Sequence, residues 1–224
     1  KASLQWRIDY IRTYIEHDLG TLGLNFNHDI LRKMWFMMAN CNGQIFNSNE
    51  LAGSLGISSP TVKKYLSYLE ASFMIRVLSP WFENIKKRQV KSPKIYFRDS
   101  GILHYFLGIN DETALRMHHK IGSSWEGFAL EQIARILYLD KQECFFWATH
   151  NQAELDLLVL KNGKKIGFEF KYNDAPKLSA SMKIALETLK LDELNVIYPG
   201  DKDYFLSKEV KVVGLKNYLL TGFF

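Results

Sequence analysis

The stretch ELDLLVLKNGKKIGFEFK, residues 154–171, decides the fold because it encodes a β-hairpin with charged side chains at one end. The Asn-Gly pair at its centre is the sequence typical of a two-residue type I′ turn between apolar strands. In such a turn Lys161 faces Lys164, so the numbers of paired residues sum to 325 along the whole hairpin. The stretch therefore predicts two antiparallel strands in a fixed register, Glu154–Leu160 and Lys165–Lys171.

This register brings four charged side chains together at the open end of the hairpin. It places Asp156 opposite Glu169. Two residues away, on the same face, it places Glu154 opposite Lys171. Opposed like charges destabilise a sheet, and apolar residues on both faces predict a buried hairpin. Two buried carboxylates require a cation or a shared proton, which favours a magnesium or manganese site with Lys171 beside it to orient a water.

The same residues are also compatible with a purely structural arrangement. Glu154 and Lys171 could form an ordinary cross-strand ion pair. Asp156 and Glu169 could diverge into solvent at a sheet edge, and a β-bulge would break the register altogether. Spacing alone leaves the metal site and these arrangements open.

Helices and strands alternate around the hairpin, which predicts a mixed α/β domain. A short amphipathic helix, Leu4–Leu19, is expected at the start of the chain as a packing element. Besides the hairpin, the C-terminal part is expected to contain the helices Ser123–Leu139 and Ala180–Lys190 and the strands Cys144–Thr149, Leu194–Tyr198 and Val210–Val213.

A second pattern, within residues 28–98, is typical of a winged helix-turn-helix. The phrase ELAGSLGISSPTVKKYLSYLEASFMI has the small residue, the turn glycine and the apolar stripe of two successive helices. The expected elements are a helix capped by Asp29, a second helix over Glu50–Leu55, a third capped by Ser59 and ending near Ser72, and the strands Ile75–Leu78 and Lys94–Phe97 around a basic wing.

Positive charge is concentrated in this segment. Residues 28–98 hold eleven lysines and arginines against four acidic residues, a net +7 in a chain whose total is +5. This favours contact with DNA or RNA, and the alternative is a solvated basic loop on a protein-interaction module. The expected contacts are Lys63 and Lys64 on the third helix and Lys86, Lys87, Arg88 and Lys91 in the wing.

Composition argues against a zinc-binding protein and against a membrane protein. The two cysteines form no CxxC pair, which argues against a zinc site and suits a reducing cytosol. No apolar run approaches the roughly 20 residues of a membrane span. We therefore expect a cytoplasmic protein with no membrane partner.

Three phrases resemble the PD-(D/E)XK nuclease superfamily: WEGFALEQI, FFWATHNQAELDLLVL and GFEFKY. The resemblance implies a restriction-endonuclease-like mixed sheet with a catalytic set of Glu126, Asp156, Glu169 and Lys171. It also implies that Asp156, Glu169 and the backbone carbonyl of Phe170 bind the metal. Glu154 is then a supporting residue.

The chain departs from that pattern in one place and adds one acidic residue. Ala148 stands where the family is expected to have arginine, which puts one substrate or structural contact in doubt. Glu131, on the same helix as Glu126, is expected to be solvated.

More narrowly, the chain resembles the C-terminal part of prokaryotic AAA-superfamily ATPases, in the phrases YIRTYIEHDL and KIYFRDSGILHYFLGI. The resemblance implies a helical junction over residues 1–27, a winged helix over 28–98 and a nuclease-like domain over 99–224. No GxxxxGK[ST] sequence is present, so this chain carries no ATP site. The implied partner is an N-terminal ATPase domain of the full-length protein.

Three hypotheses for function follow. The first is metal-dependent phosphodiester hydrolysis on nucleic acid that the winged helix positions. The second is a non-catalytic module, in which the nuclease-like fold binds nucleic acid or protein for an attached ATPase. The third and weaker one is a sequence-specific transcription regulator, for which the acidic site is more than is needed.

Overall fold

The computed structural model describes residues 2–19, 27–83, 89–150 and 153–221. Helices and a six-stranded mixed sheet make up the fold, which confirms the predicted mixed α/β class. The chain divides into two compact units, one of residues 1–77 with 95–124 and one of residues 78–94 with 125–224. The sequence predicted a boundary between residues 98 and 99, whereas this division groups residues 78–94 with the C-terminal sheet and residues 99–124 with the first unit.

The first unit is mainly helical. Buried aromatic and aliphatic side chains such as Trp35, Met34 and Leu69 form its core. Its helices are α1 (Ala2–Thr13), a π-helical turn (Tyr14–Asp18), α2 (His28–Asn40), α3 (Ser48–Leu55), α4 (Ser59–Ala71), α5 (Ser100–Phe106) and α6 (Glu112–Met117).

Two predicted helix caps are wrong by one or two residues. Asn27 caps α2 instead of Asp29, because its extended backbone lets its side chain accept a hydrogen bond from the Ile30 N–H at 3.1 Å. Ser58 caps α4 instead of Ser59, and accepts from the Thr61 N–H at 3.3 Å. Cap residues lie just outside the helix, and Asn27 and Ser58 are of the preferred types.

The strands of the predicted wing form as expected. β1 (Ile75–Leu78) and β2 (Lys94–Phe97) pair in a two-stranded sheet with the predicted bounds. Three of the predicted wing residues, Lys86, Lys87 and Arg88, lie outside the described residues.

The second unit is built on the six-stranded sheet. A long helix, α7 (Ile121–Ile136), leads into it. The helix α8 (Ala180–Leu189) packs against the sheet through Met182, Ala185 and Leu189. Its elements are β3 (Cys144–Ala148), β4 (Glu154–Lys161), β5 (Lys164–Phe170), α8 (Ala180–Leu189), β6 (Glu193–Tyr198), β7 (Tyr204–Phe205), β8 (Val210–Gly214) and α9 (Leu215–Thr221).

Strand order in the sheet is β3-β4-β5-β6-β8-β7. The pairs β3-β4, β4-β5 and β8-β7 are antiparallel, whereas β5-β6 and β6-β8 are parallel. The predicted hairpin therefore lies inside the sheet, with β5 at the change from antiparallel to parallel pairing.

The register of the hairpin is as predicted. Paired residues run from Lys161↔Lys164 to Leu157↔Phe168, so their numbers sum to 325. The turn residues Asn162 and Gly163 both have positive φ, 52° and 75°, as a type I′ turn requires. An irregularity exists in the sheet, but it lies in β3 between Phe145 and Trp147 and leaves the hairpin intact.

Residues 79–81 and 89–90 lie along the outer edge of β3. The Trp81 N–H donates to the Phe146 carbonyl at 2.6 Å, and the Phe146 N–H donates to the Ser79 carbonyl at 3.0 Å. Further along the edge, the Val90 N–H donates to the Ala148 carbonyl at 3.0 Å. We call these residues the edge strap, and the chain runs from them directly into β2. In the part of the chain that the structure describes, no helix has both the length and the apolar character of a membrane span.

Candidate functional site

Asp156 and Glu169 meet at the open end of the hairpin, one position beyond the last regular pair. Both are buried, with 8% and 5% of their surface exposed. Asp156 Oδ2 accepts a hydrogen bond from the Phe170 N–H at 2.9 Å. The predicted juxtaposition is confirmed, and the alternative in which these carboxylates diverge into solvent is wrong.

The second predicted pair, Glu154 with Lys171, is replaced by other contacts. Lys171 Nζ donates to Glu169 Oε1 on its own strand at 2.6 Å, and its backbone N–H donates to the Ile197 carbonyl at 2.9 Å. The ladder between β4 and β5 has ended at Leu157↔Phe168, whereas the pairing of β5 with β6 continues to Phe170. Glu154 forms an ion pair with Lys94 instead, so the simple cross-strand ion pair is not what the structure shows.

Lys94, at the start of β2, is the residue that sequence reasoning missed. Its side chain is only 4% exposed. Its Nζ contacts Glu154, lies 3.4 Å from Glu126 Oε1 and lies 3.9 Å from Asp156 Oδ1. The one signal for Lys94 in the sequence was its place in the otherwise apolar strand KIYF. The structure buries all four residues of that strand.

The helix α7 supplies Glu126, as the resemblance implied. Its side chain is 18% exposed and reaches the cluster through Lys94. Glu131, five residues further along α7, is 1% exposed, so the expectation that it is solvated is wrong. The strand end is also fixed, because Ser181 on α8 bonds both backbone groups of Glu154 at 2.7 Å.

The six residues Lys94, Glu126, Glu154, Asp156, Glu169 and Lys171 form what we call the acidic cluster, and all belong to the second unit. Four carboxylates against two ammonium groups give it a net formal charge of −2. One oxygen, Glu169 Oε2, is buried without a hydrogen-bond partner. The cluster therefore holds excess negative charge in a site with little water to screen it.

Burial, together with the neighbouring charges, shifts the pKa values of three residues of the cluster. Burial, and then the neighbouring Asp156 charge, raises the pKa of Glu169 from 4.5 to about 8. Burial also raises the pKa of Asp156, although Lys94, Lys171 and the Phe170 N–H oppose the shift. Burial alone lowers the pKa of Lys171, but the carboxylates of Glu169 and Asp156 outweigh it and the net shift is upward.

The donor set fits a magnesium-type ion held by few protein ligands. Among the described residues, no three His, Cys, Asp or Glu side chains are arranged to hold a metal. Magnesium, however, is commonly bound through one or two carboxylates and several waters. Glu169 Oε2 offers a free acceptor beside Asp156. The Phe170 carbonyl lies on the same side of β5 as its N–H, which points to Asp156.

The predicted nucleic-acid contacts are surface residues where the structure describes them. Lys63 and Lys64 are exposed on α4, in the first unit, and Lys64 Nζ lies 6.0 Å from the centre of the Tyr68 ring. Lys91 is exposed after the edge strap, in the second unit.

Two models of known protein families match the chain. The chain belongs to the family described as "Domain of unknown function (DUF8612)", whose model matches residues 1–113. A second model, "Domain of unknown function (DUF4143)", matches residues 121–218, which include the acidic cluster apart from Lys94.

The curated relatives include an uncharacterised protein of Mycobacterium tuberculosis and one of Mycobacterium bovis. Each is 44% identical over 220 residues, which is 98% of this chain and 49% of the relative. The chain thus spans about half the length of the curated relatives it matches. No solved structure matches it.

Proposed function

We propose that this chain is a nucleic-acid-binding module whose second unit hydrolyses phosphodiester bonds with magnesium or manganese. The observation that carries the proposal is the buried acidic cluster, which carries −2 when all four carboxylates are ionised and in which Glu169 Oε2 has no partner. One divalent ion would neutralise that charge in place of the proton that Glu169 holds up to about pH 8. The order of acidic residues and lysine also resembles the PD-(D/E)XK pattern, which supports a nuclease-like reading of the sheet.

Within this proposal the residues have separate tasks. Asp156, fixed by the Phe170 N–H, and Glu169, fixed by Lys171, hold the metal with the Phe170 carbonyl. A bound magnesium or manganese ion would lower the pKa of a water and offset the charge that develops on the phosphate. Lys171, whose side chain is 38% exposed, can orient that water at the mouth of the site. Glu126 and Glu154 complete the acidic set.

Cleavage by the Asp156→Asn variant is the direct test. We expect wild-type protein to cleave DNA or RNA with magnesium or manganese and to stop in EDTA. The variant should lose more than about 100-fold in rate, since even indirect partners of a metal ligand cost 10–100-fold. Asp174→Asn, the same change at an exposed loop residue, is the matched control and should keep full activity.

Retained cleavage in Asp156→Asn would remove the site assignment. Absence of cleavage in every protein would instead favour the non-catalytic module. One feature already favours that second candidate, because Lys94 neutralises part of the cluster without a metal.

The basic residues of the predicted winged helix would bind the substrate backbone. Each phosphate contact to duplex DNA changes the slope of log K against log salt by about 0.9. We expect Lys63→Ala/Lys64→Ala to weaken binding at all sequences and to reduce that slope by about 2. Lys183→Ala/Lys208→Ala removes two exposed lysines of the second unit and should leave the slope unchanged. Strong preference for one sequence would favour a transcription regulator instead.

The partner that the resemblance implies is an N-terminal ATPase domain of the full-length protein. We propose that such a domain would move or open nucleic acid for the module described here. Cytoplasmic location is part of the same proposal, since the composition suits a reducing compartment.

A further inference from the structure

Three carboxylates converge on the ammonium group of Lys94. Glu154 contacts Nζ directly, Glu126 Oε1 lies 3.4 Å away and Asp156 Oδ1 lies 3.9 Å away. The residues come from α7 and β4, so two separate elements direct their negative groups to one point. Convergent carboxylate oxygens from separate elements are what a protein uses to bind a divalent cation.

The second ammonium group is placed differently. Lys171 Nζ has its short contact with a single carboxylate oxygen, Glu169 Oε1 at 2.6 Å. Its side chain is 38% exposed, against 4% for Lys94. Lys171 therefore lies at the mouth of the cluster, whereas Lys94 fills a position inside it.

The two carboxylate oxygens of Asp156 separate these regions. Oδ1 is the atom nearest Lys94, and Oδ2 is the atom bonded to the Phe170 N–H. Glu169, with its unpartnered Oε2, interacts electrostatically with Asp156. Asp156 is thus a neighbour both of the position that an ammonium group fills and of a carboxylate whose oxygen still lacks a partner.

We infer that Lys94 is a tethered cation that fills one of two divalent-ion positions in the acidic cluster, so that the native site takes up a single ion. This inference rests on the proposed metal site at Asp156 and Glu169. Charge supports it: four carboxylates could balance two divalent ions, but two ammonium groups leave charge for one.

Removal of the ammonium group should open the second position. A divalent ion needs its oxygens at about 2.0–2.6 Å, closer than Glu126 and Asp156 lie to Lys94 Nζ, so both carboxylates must close in by about 1 Å or more. Lys94→Met keeps most of the side-chain length and removes the charge. Lys171→Met removes the same charge from the mouth of the cluster and serves as the matched control.

Calorimetric titration of manganese into metal-free full chain tests the inference. We expect one ion per chain in wild type, two in Lys94→Met and one in Lys171→Met. One ion in both variants overturns the inference and leaves the proposed function standing. No ion in wild type but one in Lys94→Met overturns the inference, which requires one ion in the native site, and also removes the metal-dependent function of the native chain. No ion in any protein overturns both.

A second variant covers failure of Lys94→Met to fold, which circular dichroism detects. Lys94→Gln removes the positive charge and keeps a polar amide that can bond the surrounding carboxylates. The shorter side chain leaves the position of Nζ open, so two ions per chain are again expected. A single ion in folded Lys94→Gln overturns the inference.

Discussion

The Lys94 side and the Lys171 side of the acidic cluster carry the same charge in different surroundings. Lys94 is enclosed by Glu126, Glu154 and Asp156, and lies 5.6 Å from the centre of the Phe146 ring. Lys171 contacts Glu169 and reaches solvent. The comparison shows that one lysine is part of the core of the second unit, whereas the other is partly exposed to solvent.

The largest expected difference between the two sides is in stability. Lys94→Met leaves buried carboxylates without a counter-charge and should lower the free energy of unfolding by about 3–5 kcal/mol. Lys171→Met leaves a second buried oxygen of Glu169 without its partner, but Glu169 can hold its own proton, so this variant should cost less, about 1–3 kcal/mol. Urea unfolding in EDTA measures both losses, and equal losses would contradict this difference between the two lysines.

A smaller effect is the pH dependence of the free energy of unfolding that Glu169, the partner of Lys171, causes. Folded Glu169 keeps its proton up to about pH 8, whereas the unfolded chain releases it near 4.5. The folded state thus binds more protons between these values, so its stability falls as pH rises through this window. Because one pKa unit corresponds to about 1.4 kcal/mol, we expect a loss of roughly 2 kcal/mol or more in metal-free protein.

Urea unfolding from pH 5 to pH 9 checks this slope against two variants. Glu169→Gln cannot ionise and should flatten most of it. Glu209→Gln changes an exposed carboxylate of the same unit and should keep the wild-type slope. A wild-type slope in Glu169→Gln would show that another group is responsible.

The Lys171 side could be predicted from sequence because its geometry is local. A two-residue turn fixes the register, and the register fixes which residues are opposed, so counting from Asn162-Gly163 gave the observed pairs as far as Leu157↔Phe168 and led to Asp156 and Glu169. The count failed at Glu154 and Lys171, because the ladder between β4 and β5 ends at Leu157↔Phe168. Nothing within the hairpin sequence records where that ladder ends.

The Lys94 side could not be predicted in the same way. Lys94 reaches the cluster through the path of the edge strap, which is a tertiary feature with no periodic pattern.

The short helices α5 and α6 were also not predicted from the sequence, although the sequence does contain their cap residues. Asp99 and Asp111 accept hydrogen bonds from the Ile102 and Ala114 N–H groups, each at 2.8 Å. Helices of seven and six residues are simply too short for apolar periodicity to stand out.

The edge strap has a consequence for how the molecule can be divided. A fragment beginning at residue 99, where the sequence suggested a boundary, would lack the strap and Lys94 together. β3 would then expose unpaired backbone groups at a sheet edge, the usual starting point for association between chains. Its acidic cluster would also have lost its buried counter-charge. A fragment of the C-terminal sheet made without residues 78–94 should therefore aggregate, and its inactivity would say nothing about the native site.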